Sequence, residues 1–457
     1  MNYKLILGIL MLGNCTSTPG YLLEKQLTFD STKNHDLDNN DNFSPDGKWL
    51  VYDTRTDSGG IGGNPSIERV NTETGETEVL YHLPDNRDFG PGVGAASYHP
   101  TAEKVIFIHG LPGCTAENPY QQWRRTGVVV SCDNPNVPQF LDSRDVTFPF
   151  TPGALRGGTH RHEWSRDGRW VGYTYNDAIM KALEDSTGVK WNLRTIAVSS
   201  PRHPVAPIAG AGQENIQGEW FSAVVVRVVP NPAPGSDEIS HAASDSWVGA
   251  AGYLKPDGTR QVARAFIGKI QRKDGVSVDE LFIVDIPDSI NVPGECGPLE
   301  GTPASFPMPP KGTVQRRLTY TAETAHPGCS GVVRSSFDGK YLAYLAKDSA
   351  GIQQVFLMSP LGGEPRQLTR HTSDVQSGVR WSPDHRSVLY VWDNSIVLCQ
   401  VSDRPFEERF RRVTARAAEA PANLVWSNDG KMIAFNRNVP VVGGGDSKKQ
   451  IFLIQLK

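Results

Sequence analysis

The sequence predicts an all-β chain, a single propeller of about seven four-stranded blades. Three observations lead there. A hairpin signature built on Ser-x-Asp-Gly recurs along the chain, and two of its intervals, Ser335 to Trp381 and Trp381 to Trp426, are 46 and 45 residues. That is the length of a four-stranded propeller blade. The 45 Gly and 33 Pro among 457 residues suit many short strands and turns rather than long helices. The opening segment Lys25-Gln26-Leu27-Thr28-Phe29 also repeats the Gln-Leu-Thr of 367–369, which ends an internal blade. Six and eight blades are the alternative counts.

The repeat copies are Phe43–Tyr52, the degenerate Tyr98–Phe107, Trp164–Tyr173, Ser335–Tyr344, Trp381–Tyr390 and Trp426–Phe435. In each, a first strand ends at the turn and a second follows. Asp-Gly is read as supplying the positive φ of a two-residue hairpin. In the degenerate copy His99 stands where the Ser belongs, so a turn role is expected for it. Segment 180–330 is less regular. Its strands are expected near Trp220–Val229 and Glu280–Ile286, with a short helix at Lys181–Asp185 and Pro/Gly loops at 230–235 and 303–311. It is assigned to one large, elaborated blade. The last copy lacks a fourth strand, which Lys25–Phe29 would supply, closing the ring and removing an exposed sheet edge.

The domain plan is therefore a leader and tether over 1–20 and a propeller over 21–457. Met1–Lys4 carries one positive charge, and Leu5–Gly13 is an apolar run too short to span a bilayer. Cys15 follows it directly. This resembles a bacterial lipoprotein processing site and implies an exported protein held to a membrane by lipid on Cys15; a plain secretory signal is the alternative. Export permits disulfides, and Cys114–Cys132 with Cys296–Cys329 is the simplest pairing of several. Cys399 reads as a buried free thiol. The formal net charge of −4, with no basic stripe, argues against nucleic-acid binding. No phosphate loop, nucleotide motif or organic-cofactor motif is present. A monomer is expected.

Residues just before each turn should converge on the channel. They are His160, His162 and Glu163; His35, Asn39, Asn40 and Asn42; Arg334; Gln376 and Arg380; and Asn423, with His371 and Asp374 in neighbouring loops. In a regular strand i and i+2 share a face, so His160 and His162 would aim at one spot.

The repeated hairpin with its terminal Leu-Thr resembles TolB-like and tricorn-type propellers. More closely, Asn34-His35, Val51–Arg55, Ile67–Val70, Gly157–His160, Tyr173–Asp177 and Pro234–Ile239 resemble a bacterial propeller family related to oligogalacturonate lyases. That resemblance implies a divalent ion, Mn or Ca, on His160 and His162. The lyase pattern has a Gln shortly before the pair where this chain has Gly157, so Gln376 would have to replace it. It also implies β-elimination on an acidic oligosaccharide, with His160, His162 and His35 as catalytic candidates and Arg334 or Arg380 gripping the carboxylate. Asn39, Asn40, Glu163, Gln376 and Asn423 would bind substrate, and Trp123, Trp220 and Trp247 would stack on sugar rings. Two other functions fit the sequence: a non-catalytic TolB-like module binding a protein or envelope glycan, and a glycoside hydrolase using Glu163 and Asp374 as its carboxylate pair. No Gly-x-Ser-x-Gly elbow is present, which argues against a peptidase.

Overall fold

The computed structural model describes residues 20–55 and 60–456. The leader and Cys15 lie outside the described residues. Seven antiparallel sheets form the propeller. Blade 1 pairs Trp49–Asp53, Ser66–Asn71 and Thr77–His82, and its inner segment joins only by the bridges Asp36 to Asp53 and Phe43 to Leu50. The inner strands of blades 2 to 7 are Val93–Tyr98, Gly157–Trp164, Ala242–Trp247, Cys329–Ser335, Arg380–Trp381 and Ala422–Trp426. Each begins a four-stranded sheet.

The N-terminal strand Glu24–Gln26 pairs with Lys448–Gln455 and completes blade 7, with Lys25 opposite Leu453. An ion pair reinforces the seam: Arg437 Nε donates to Glu24 at 2.7 Å. Segment 180–330 holds more than one elaborated blade. Thr195–Ser200 and Phe221–Val224 are the outer strands of blade 3; blade 4 follows, with its strands at Ala263–Gln271, Ser277–Asp285 and Val314–Arg317. The helix is longer than expected, Ala178–Thr187. Asp177 caps its start by accepting from the Ile179 and Met180 amides, and Gly188 ends it in the left-handed region.

The repeated turn is not a two-residue hairpin. Ser44 N donates to Trp49 O, leaving residues 45–48 in the loop, and only Gly47 carries positive φ. The Ser and Asp side chains hold it. Ser44 Oγ donates to Asp46 at 2.7 Å, Lys48 N to the same carboxylate at 3.0 Å, and Trp49 N to Ser44 Oγ at 3.0 Å. The same three bonds recur at Ser165/Asp167, Ser336/Asp338, Ser382/Asp384 and Ser427/Asp429. In blade 2, His99 Nδ1 accepts from the Thr101 and Ala102 amides instead. Short polar side chains that bond their own backbone are what make this motif a turn.

Apolar residues of adjacent blades interleave to form the core. Between blades 3 and 4, Trp170, Ile196, Val198, Phe221, Trp247, Phe266 and Phe282 pack together, all at least nine-tenths buried. Each such side chain is worth roughly 1.5–3 kcal/mol of burial. The five described cysteines are free thiols, so neither expected disulfide forms. Cys132 and Cys329 are buried in blade packing and Cys296 is exposed. Cys399 is buried, as read from its strand.

Candidate functional site

One backbone irregularity decides what each inner strand shows to the channel. Ala95, Arg161, Ser244 and Asn423 all have positive φ, each three residues before the aromatic that ends its strand, and the pairing register shifts there. These are β-bulges, which add a residue and turn the following side chain. In blade 3 His160 pairs with Thr174 and Glu163 with Gly172, so Arg161 and His162 together oppose Tyr173.

The bulge separates the two imidazoles. His162 is fully buried between blades, with Nε2 2.9 Å from Thr159 Oγ1 and its ring on Tyr173 at 5.1 Å. A Cβ on Gly127 would sit 2.6 Å from that Nε2. Burial, helped by Arg125, pushes His162 down to about 3. His160 is half-buried, its Nδ1 has no partner, and His162 is among the groups that lower it. The expectation of two rings aimed at one spot is thus corrected. Among the described residues no three His, Cys, Asp or Glu side chains group to hold a metal. The residues present do not fit the expected Mn or Ca ion.

Other expected residues also lie elsewhere. His35 is buried against Tyr52 at 5.1 Å, away from the rim, and burial lowers it to about 4. Gln376 is exposed and braces the Asn394 turn, Nε2 donating to Asn394 Oδ1 at 3.0 Å. Asn423 donates to Asp36 at 2.7 Å. Asp374 receives the Gln353 amide on an exposed loop. Trp247 is buried, donating to Glu163 O, and Trp220 packs edge-on against Trp164.

The remaining residues do meet, in a buried network across the axis. Glu163 takes Arg334 Nη1 at 2.6 Å, Arg264 Nη2 at 3.2 Å and Asn40 Nδ2 at 3.3 Å. Burial pushes its carboxyl up, but Arg334 and Arg264 outweigh that and hold it below the usual range. An acid so held cannot serve as the protonated partner of a hydrolase pair. Asn39 ties Ala95 O to His162 O at 2.9 and 3.0 Å. Gly172 admits Arg264, since a Cβ there would lie 2.1 Å from Nη1. Gly172→Ala is expected to cost about 1–3 kcal/mol through overpacking; an unchanged melting temperature would show that Arg264 can step aside.

On the loop face, beyond this network, is a cluster that sequence reasoning missed. Arg194 lines a cavity with Gln122, Asn176, Lys190, Ser240 and His241. Its Nε donates to Asn176 and its Nη2 to Gln122, both at 3.0 Å. Arg125 is buried, with Nε and Nη2 lacking partners. Among the described residues, no carboxylate comes within 4.0 Å of Arg125, Arg161 or Arg194. Burial and Arg125 lower Arg194 to about 10. Burial, then the repulsion of Arg125, Arg194 and Arg161, drives His160 far below its usual value, so it is neutral at neutral pH. No motif marks Arg125 or Arg194; they come from a third strand's start and a pre-strand loop, and only the fold joins them.

A protein of Escherichia coli (strain K12), "Uncharacterized protein YidR", is 38% identical over 425 residues, covering 90% of this chain and 94% of that protein. The chain belongs to the YidR family. The family profile "Protein of unknown function (DUF3748)" matches residues 92–212, which hold Arg125, His160, His162, Glu163 and Arg194. Two solved structures share the YidR-family fold seen here. An oligogalacturonate lyase in complex with manganese superposes at TM-score 0.52 and 14% identity, covering 95% of this chain and 93% of that one. An oligogalacturonate lyase from Vibrio parahaemolyticus gives 0.53 and 9%, covering 95% and 94%. At these identities the likeness is one of fold.

Proposed function

We propose that the loop-face cluster binds a uronic-acid-containing oligosaccharide and cleaves it by β-elimination. The observation that carries this is a half-buried imidazole, His160, whose charged neighbours include Arg125, Arg161 and Arg194, none of them in an ion pair within 4.0 Å among the described residues. The fold shared with oligogalacturonate lyases supports the same reading. The chemistry suits these groups. Arginine forks bind the sugar carboxylate and lower the cost of building negative charge at the adjacent carbon. His160 takes the proton from that carbon, whose C–H electron pair becomes the new C=C bond. The C–O bond to the leaving sugar breaks, and its oxygen is protonated by the imidazolium or solvent. No water is consumed and no metal step is required.

The test is ultraviolet absorbance of the conjugated product from galacturonate oligomers. His160→Ala is expected to lower kcat/KM by about 100- to 10,000-fold, the range for a general base. Arg194→Gln should chiefly raise KM. Activity unmoved by His160→Ala would overturn the assignment. Stoichiometric binding without turnover would favour the binding-module alternative.

A further inference from the structure

The channel's other mouth holds a second cavity, of about 250 Å³, among the turns. Its walls include Trp164, Trp247, Trp381, Trp426 and Phe337, and its charged lining is Arg166, Arg334 and Arg380 with the carboxylates Asp41 and Glu163. Asn40 and Glu163 of the buried network line it, whereas His160, Arg125 and Arg194 do not. Two of the three arginines are occupied. Arg166 pairs with Asp41 at 3.1 Å and lies over Phe337 at 4.4 Å, and Arg334 pairs with Glu163. Arg380 is different. Its Nε donates to Leu424 O at 2.9 Å and its Nη1 only weakly to Val379 O at 3.3 Å. Among the described residues no carboxylate lies within 4.0 Å of it. Arg334 adds a buried Nε with no partner. The mouth therefore has guanidinium donors in excess of acceptors, beside flat aromatic walls. A buried donor without an acceptor is costly, and two donors on one planar fork match a carboxylate.

We infer that this turn-face cavity is a separate binding site for a small carboxylate ligand with a flat apolar face, such as a single sugar acid, gripped by Arg380 and packed on the tryptophans. The inference does not rest on the elimination reading. Aromatic faces stack on sugar rings while the arginine supplies the charge match, so a neutral sugar of the same shape should bind far more weakly.

The indole rings report directly on the cavity. The experiment titrates D-galacturonate into the Arg194→Gln protein, whose loop-face affinity is weakened, and follows tryptophan fluorescence. A saturable change is expected, with D-galactose giving none. Adding Arg380→Gln should weaken the apparent affinity at least about tenfold, a factor of about 1.4 kcal/mol. Arg380→Lys, which keeps the charge and loses the fork, should fall between, and circular-dichroism melts establish that each variant is folded. Titrations identical with and without Arg380, or galactose acting as well as galacturonate, would overturn the site. If His160→Ala leaves lyase activity untouched while Arg380→Gln abolishes this titration, the His160 assignment fails and the turn-face site stands.

Discussion

Glu163→Ala is expected to lower the free energy of unfolding by about 3–5 kcal/mol, the cost of stranding buried cations. Arg334 and Arg264 are both buried, and Glu163 bridges them at 2.6 and 3.2 Å. Arg264 keeps Asp245, whose carboxylate takes its Nε at 2.7 Å. Arg334 keeps no carboxylate, and its Nε is already without a partner. The loss should therefore fall mostly on Arg334. Pairing Glu163→Ala with Arg334→Leu tests this, because removing both charges should recover a large part of the stability. Equal urea midpoints for the single and double variants would show that the stranded charge is not the cause. Glu163 also joins blades 3, 4 and 5, so the single variant should lower cooperativity across those blades, seen as faster amide exchange there.

Acidification from pH 7 to 5 is the second large effect. His35, His109, His162 and His371 are buried, and burial lowers them to about 4, about 4, about 3 and about 4. Each stays neutral in the folded chain but titrates near 6.5 when unfolded. Folded values below unfolded ones give stability that is present above about 6.5 and lost as pH falls toward the folded value. At pH 5 each has lost about 2 kcal/mol. Two carboxylates act the other way. Burial raises Asp142 to about 6 and, against the pull of Arg55, Asp53 also to about 6. Their strain is greatest above 6 and eases by about 1.4 kcal/mol each by pH 5. The net is a loss on the order of 5 kcal/mol, read as a lower urea midpoint at pH 5 than at pH 7. A midpoint that holds or rises on acidification would show that the buried imidazoles do not control acid stability.

The repeat was legible because its chemistry is local. Ser44 and Asp46 make their turn with bonds to residues within five positions, and the same residue types do so in every copy that carries them. The ring closure was legible because the N-terminal strand repeats the Gln-Leu-Thr that ends an internal blade, while the last copy lacks a fourth strand. Glu163, Arg334 and Arg380 were placed on the channel by their position before the turn, and they do converge there. The two-residue hairpin reading failed on loop length, since Ser44 pairs with Trp49 and only the glycine turns left-handed. The disulfide reading followed from expected export and from Cys spacing along the chain, which says nothing of distance in space.

The sequence by itself determined a propeller ring of about seven blades, its seam, and which strand ends face the axis, because turns and strand alternation depend on neighbours in the chain. Only the tertiary structure decided which side chains reach the openings. A bulge at Arg161 changes a period-of-two strand by one residue, and that step sends His162 into the packing while Glu163 joins the axial network. Arg125 of blade 2 came near His160 only through the packing of blades 2 and 3, and Arg194 through the loop before a later strand of blade 3 itself. Bulges and blade contacts are set by packing across the ring, so no short stretch of the chain encodes them.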